Sequence, residues 1–275
     1  MIDIGIDIRK PELDLRLPAE PRAVPVVRQA VRALGEATRA DPISLEGAEL
    51  AVTEACGNVV EHAYGSHGGP LEVTIRPSLA ELLVTVRDSG RGMAEDPRRE
   101  GRPGLGLGMI EEIATQLEIR PGQEGGTEVI MRLSMGEDPL CLNGSAGDGA
   151  APVERIARRI VAVIGAQTDM PSDRLLESLL AVEIATRHAP RYLVGDRIEL
   201  SLERLTEGFE LGLGPLVADG ARAVVQESEL PVIGAVIDRL SDHIGIEPIA
   251  DEPGHGPPGA ERLRLRIGSP SAGSA

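Results

Sequence analysis

Glu54, Asn58 and His62 fall at intervals of four residues, which on a helix stacks a carboxylate, an amide and an imidazole along one face. A carboxylate in such a place can take the proton of an attacking hydroxyl or water. An amide oxygen one turn later is a hard, neutral ligand of the kind a magnesium ion accepts alongside phosphate oxygens. A solvated stripe on a surface helix has the same composition, so the face alone does not decide. What distinguishes it is the order of three later segments: a strand-like run ending in Asp88-Ser89-Gly90-Arg91-Gly92-Met93, then Gly104-Leu105-Gly106-Leu107-Gly108, then Gly126-Thr127.

Each of these can serve a nucleotide. Asp88 at a strand end can accept a hydrogen bond from the exocyclic amine of adenine, and Gly90 and Gly92, followed by Met93, allow backbone to approach a base where a Cβ would collide. Gly104, Leu105, Gly106, Leu107 and Gly108 lead into a helix N-terminus, where free N–H groups and the helix dipole attract phosphate oxygens. Thr127 can reach the base through its hydroxyl or a water. Taken singly, each has a plainer reading: a tight turn, a flexible loop closing on a helix cap, a strand threonine. His62 reads as structural, closing its helix against the following turn.

Composition limits the setting. Hydrophobic residues are 41% of 275, enough for one large or two ordinary cores, while aromatics are 1%: Tyr64, Tyr192 and Phe209. The cores must be aliphatic, and stacking of bases on aromatic platforms is nearly excluded. Lys+Arg 28 against Asp+Glu 44 leaves a net charge of −16, which disfavours nucleic acid and anionic membranes as partners. A polyphosphate would then need backbone amides and a divalent metal at one local site. Lys10 is the sole lysine, so both the lysine-containing phosphate loop and the strand lysine of eukaryotic-type kinases are missing. Cys56 and Cys141 lack metal-ligand spacing, and neither a leader peptide nor a membrane span is expected. A reducing, cytoplasmic location is expected.

The elements that must position these residues are legible from periodicity. Ile2 to Ile8 and Leu13 to Leu17 alternate as strands do. Val24 to Thr38 has helical spacing, and Asp41-Pro42 opens a second helix, with Asp at the cap, that carries Glu54 through Tyr64. Leu71–Arg76 and Glu81–Arg87 predict a hairpin whose second strand delivers Asp88. The polar, glycine-bracketed segment up to Gly104 suits a mobile lid or an ordinary surface loop. A helix over 108–117 and strands near 117–120 and 127–133 complete a domain spanning 1–135, followed by a linker at 136–151.

Beyond the linker the apolar skeleton recurs. Leu180-Ala181-Val182 matches Leu50-Ala51-Val52, Ile198–Leu202 matches Leu71–Ile75, and Ile244–Pro248 matches Leu117–Pro121. A repeat of one domain, spanning 152–268 with a disordered tail at 269–275, is expected. Ile184, His188 and Pro215 stand where Glu54, Asn58 and Asp88 would be, and Pro231, Ile233 and Ala235 stand opposite Gly104, Gly106 and Gly108. The repeat is therefore expected to bind no nucleotide.

The ordered set Glu54-x-x-x-Asn58-x-x-x-His62-Ala63-Tyr64, Asp88-x-Gly90-x-Gly92, Gly104-x-Gly106-x-Gly108 and Gly126-Thr127 resembles the GHKL (Bergerat-fold) ATPases, and within them the bacterial anti-sigma-factor serine kinases. The resemblance covers roughly Leu13 to Leu133. It implies an α/β two-layer sandwich, a mixed sheet with helices on one face, duplicated here in tandem. It also implies ATP and magnesium (Mg2+) as ligands, Glu54 as catalytic base, Asn58 as metal ligand and Asp88 as the adenine-binding carboxylate. The partners implied are a sigma factor and an anti-anti-sigma (STAS-type) protein phosphorylated on serine. Members of the family dimerise, so the repeat is expected to act as an internal pseudo-partner in a chain with one active site. A nucleotide-gated binding module without phosphotransfer is the competing expectation.

Overall fold

Two strands of matching pattern open the chain, β1 (Ile2–Asp7) and β2 (Leu13–Pro18), yet they belong to different units of the fold. The structure is a computed structural model and describes residues 1–7, 12–38, 40–65, 67–78, 80–92, 105–122, 125–136, 150–167, 170–205, 208–230, 234–249 and 259–268. It divides into two compact units, Pro11–Gly147 and the pair of segments Met1–Lys10 and Asp148–Ala275.

In the unit Pro11–Gly147, β2 is followed by α1 (Ala23–Ala37), α2 (Pro42–Asn58), β3 (Pro70–Pro77), β4 (Glu81–Asp88), α3 (Leu105–Ile113), β5 (Gln116–Pro121) and β6 (Thr127–Ser134). The strand order is β2-β3-β4-β6-β5. Alternation does the sorting: Leu13, Leu15, Leu17, Leu71, Val73, Ile75, Leu82, Val84 and Val86 are buried beneath α1 and α2, with Val27, Val31, Leu34, Ala48 and Val52 opposite them. The other sheet face carries polar pairs, such as Thr74 Oγ1 donating to Asp14 Oδ1 at 2.7 Å and the Arg76–Glu12 ion pair. Helices thus cover one face of the sheet, the two-layer α/β sandwich expected.

The sheet is antiparallel at each of these contacts, where a mixed one was expected. The α3 crossover does lead from β4 to a strand parallel to it, but β6 folds back from β5 and occupies the place between them, so the parallel strands never touch.

The other unit contains α4 (Ala150–Ala166), α5 (Ser172–His188), β7 (Arg197–Leu205), β8 (Gly208–Leu216), α6 (Gly220–Glu227), a two-stranded ribbon of β9 (Glu229–Leu230) and β10 (Gly234–Ala235), α7 (Val236–Leu240), β11 (His243–Pro248) and β12 (Glu261–Gly268). Its strand order is β1-β7-β8-β12-β11, the same sequence of leading strand, hairpin and returning hairpin as in the first unit. Met1–Lys10, expected within the first domain, belongs here. Ile4 faces Leu200 and Ile6 faces Ile198 across an antiparallel register, and both isoleucines are buried. Alternation identifies a strand but not the edge it joins, which is why the boundary differs. The expected linker and tail lie almost wholly outside the described residues.

No described helix is long and apolar enough to cross a membrane.

Candidate functional site

The helix bearing the polar face starts cleanly. The Asp41 carboxylate accepts the backbone N–H of Ser44 at 2.9 Å, and this bond holds its pKa below the ordinary value. Pro42 follows at a position where no N–H is required. Asn58 ends the α-helical part, and Val59–Ala63 form a π-helical turn in place of the continuous α-helix expected. A π-turn admits one extra residue and is frequent at functional sites.

Glu54 and Asn58 are half-buried and lie one turn apart on α2. Both look onto the first turn of α3: a Cβ at Gly106 would stand 2.5 Å from Glu54 Oε2 and 3.7 Å from Asn58 Nδ2. Lower down the same pair of helices a Cβ at Gly47 would meet Ile113 Cγ2 at 3.3 Å, so small residues on both helices permit the approach. The helix α3 begins at Leu105, three residues earlier than expected, and Gly106, Leu107 and Gly108 lie inside it. Close packing against α2 outweighs the poor helix propensity of glycine. The N–H groups of its first turn have no partners within the helix. Gly108 differs from Gly106: among the described residues nothing stands within 4 Å of a Cβ added there.

Asp88 is 4% exposed at the end of β4, and its Oδ1 accepts the N–H of Gly90 at 2.8 Å. Gly126, with φ +77°, packs against it so that a Cβ would come within 2.7 Å of the same oxygen. Gly92, with φ +71°, faces the Gly126 carbonyl at 3.3 Å, measured from the Cβ it lacks. Thr127 is half-buried at the start of β6, one residue beyond this turn. Met93 and Gly104, with the segment expected as a lid or an ordinary surface loop, lie outside the described residues.

The α2 end and the Asp88 turn are fastened to one another. The Ala63 carbonyl accepts the N–H of Arg91 at 3.0 Å, and the His62 carbonyl accepts the Arg91 guanidinium at 3.1 and 3.2 Å. His62 contributes this carbonyl while its imidazole is exposed. Tyr64 Oη donates to the Pro70 carbonyl at 2.5 Å and accepts the N–H of Ser89 at 2.7 Å. Its ring fills the space that a side chain on Gly69 would need. Sequence reasoning registers Tyr64 only as part of a motif; its rarity, one of three aromatics in the chain, is the available signal.

Next to this turn, Glu128 is buried on the sheet face away from the helices and takes hydrogen bonds from Arg87 and Arg120. Burial alone would raise its pKa; the two arginines outweigh it and hold the carboxyl below its ordinary value. Cys56, buried in α2, is pushed the other way, to about 12, by burial. Among the described residues no group of three or more His, Cys, Asp and Glu side chains gathers as a metal centre.

In the second unit, His188 ends α5 and pairs with Glu227 Oε2 at 3.1 Å, and Glu227 also binds Arg191 at 2.8 Å and Tyr192 Oη at 2.6 Å. Pro215 stands within β8. Pro231 and Ile233 lie outside the described residues.

Residues 17–133 match the model of the histidine kinase-like ATPase domain. The anti-sigma F factor of Pasteuria penetrans is 30% identical over 106 residues, covering 34% of this chain and 71% of that protein. A serine-protein kinase RsbW of Bacillus licheniformis is 26% identical over 124 residues, 39% of this chain and 77% of its own length. The RsbW of Halalkalibacterium halodurans is 27% identical over 148 residues, covering 48% of this chain and 90% of that one.

Proposed function

The chain belongs to the family of histidine kinase-like ATPase domains, and from that membership we propose that it is a cytoplasmic, ATP-binding anti-sigma regulator that phosphorylates a serine or threonine of an anti-anti-sigma (STAS-type) partner. The observation that carries the reading is the cradle at Gly106. A carboxylate and an amide face the N-terminal turn of α3, which lies so close that a methyl group on Gly106 would displace the Glu54 carboxylate. That donor set suits a magnesium polyphosphate: one neutral protein oxygen for the cation, N–H groups without partners inside their helix for the anion, and a base beside them.

In this reading Asn58 would hold magnesium, the first turn of α3 would hold phosphate oxygens, and Asp88 would take the adenine amine, with Gly90, Gly92, Gly126 and Thr127 shaping the base pocket. Bound ATP supplies the phosphoryl group, and magnesium offsets the charge that a chain of net −16 would otherwise repel. Glu54 would accept the proton of the partner's hydroxyl as that oxygen bonds the γ-phosphorus of ATP and the bond to the departing ADP breaks. The relatives named as serine-protein kinases and anti-sigma factor support the choice of partners.

Incubation with γ-labelled ATP and a candidate anti-anti-sigma partner tests the reading. Labelling that Glu54→Ala abolishes is expected. ATP-dependent association without any labelling would favour the nucleotide-gated binding module instead.

The second unit, in the same proposal, is a diverged copy that has lost the site. Its repeated strand order and the apolar matches support this, as does the Glu227 cluster tying up the end of α5. It substitutes for the second subunit of a dimer, so the chain works as a monomer with one nucleotide site. Light scattering that returned a homodimer would count against that role.

A further inference from the structure

We propose that Tyr64 is a positioning residue that couples the two halves of the nucleotide site, holding the adenine-side turn in register with the phosphate-side helix through its hydroxyl. The inference rests on the nucleotide reading of the preceding subsection and adds to it a residue with no assigned role.

The Tyr64 hydroxyl has two backbone partners. It donates to the Pro70 carbonyl at the start of β3 and accepts the N–H of Ser89, the residue directly after Asp88. A phenol has one proton to donate and lone pairs to accept with, so both directions are satisfied at once. Ser89 is exposed and lies just past the last residue of β4, between Asp88, held in register with Leu71, and Arg91, held to the Ala63 carbonyl, so the Tyr64 hydroxyl is what fixes the Ser89 N–H itself. Gly90, next in line, has its own N–H on Asp88 Oδ1. A shift of the Ser89 backbone would therefore strain the Gly90 hydrogen bond that orients the Asp88 carboxylate.

The ring is fixed from the other side. Tyr64 follows directly on the π-turn Val59–Ala63, itself continuous with Asn58. Gly69 leaves room for the ring, and Gly90 sits so near Ala63 that a Cβ there would lie 2.6 Å from the carbonyl carbon. One rigid path thus runs from Asn58 through the π-turn and the phenol to Asp88. In the second unit Tyr192 stands soon after α5 in a similar manner, but its hydroxyl goes to the Glu227 side chain. The bridging geometry accompanies the unit that keeps Glu54, Asn58 and Asp88.

The test is titration of ADP and of inorganic tripolyphosphate, each with magnesium, into the full chain and into Tyr64→Phe, with hydrogen exchange followed at Ser89 and Gly90. Loss of the hydroxyl is expected to weaken ADP by about five- to tenfold, the worth of a hydrogen bond or slightly more. Tripolyphosphate affinity, set by the α2–α3 end, should stay within about twofold, and exchange at Ser89 should accelerate. Should Tyr64→Phe not fold, Gly69→Ala, which displaces the ring, is expected to give the same selective loss. Equal ADP affinity in wild type and variant, or parallel losses for both ligands, overturns the coupling role. Wild-type chain that takes up no ADP overturns it together with the nucleotide reading, so the two failures are distinguishable.

Discussion

Gly106 of α3 and Glu54 of α2 approach until a methyl group on the glycine would sit 2.5 Å from the carboxylate oxygen. This makes Gly106→Ala an informative substitution. The helix should gain up to about 1 kcal/mol from the better propensity of alanine. Glu54, the far end of a flexible side chain, must swing away. Thermal melting should therefore show an unchanged or more stable protein, while phosphotransfer to the partner falls at least about tenfold. Full activity would mean that the placement of Glu54 does not matter.

Gly126 meets an unyielding neighbour. Its φ of +77° and its proximity to Asp88, within 2.7 Å of Oδ1 for an added Cβ, leave alanine strained and in contact with the residue read as the adenine acceptor. Gly126→Ala should cost about 1–3 kcal/mol in chemical denaturation and remove ADP binding in calorimetry. A variant as stable as wild type would show that the turn relaxes freely.

Glu128 gives a prediction with a sign. Its pKa is below the ordinary 4.5, because burial, which raises it, is outweighed by the hydrogen bonds from Arg87 and Arg120. A depressed folded-state pKa contributes stability that is fully present above 4.5 and is lost as pH falls through the lower, folded value. Denaturation midpoints of wild type and Glu128→Gln should thus differ near neutrality and converge in acid. A difference that does not change with pH would contradict this.

Cys56 tests burial of the site helix. With its thiol pushed up to about 12, it should remain protonated and resist alkylation in the native state. In a Cys141→Ser background, which leaves Cys56 as the one thiol, modification at neutral pH should appear only with denaturant. Rapid native labelling would place the core of α2 in contact with solvent.

Much of the fold was legible in residue order because the two periodicities are strict. Leu71 to Asp88 alternates and folds as a hairpin, Asp41-Pro42 caps the helix, and the Glu54/Asn58 face meets the glycine-rich α3. What escaped depends on partners distant in the chain. The strand Ile2–Asp7 alternates like Leu13–Pro18, and only its pairing with β7 assigns it to the second unit. The start of α3 at Leu105 follows from contact with α2, which propensity does not register. The π-turn, and the two hydrogen bonds of the Tyr64 hydroxyl to Pro70 and Ser89, involve partners that nothing in the neighbouring residues announces.

The central claim is that Glu54, Asn58 and Asp88 serve one magnesium–nucleotide site, and calorimetric titration of ATP in magnesium buffer addresses it most directly. The prediction is one nucleotide per chain, with uptake lost in Asp88→Asn and its magnesium dependence lost in Asn58→Ala. Absence of uptake by the wild-type chain, or undiminished binding by both variants, would contradict it.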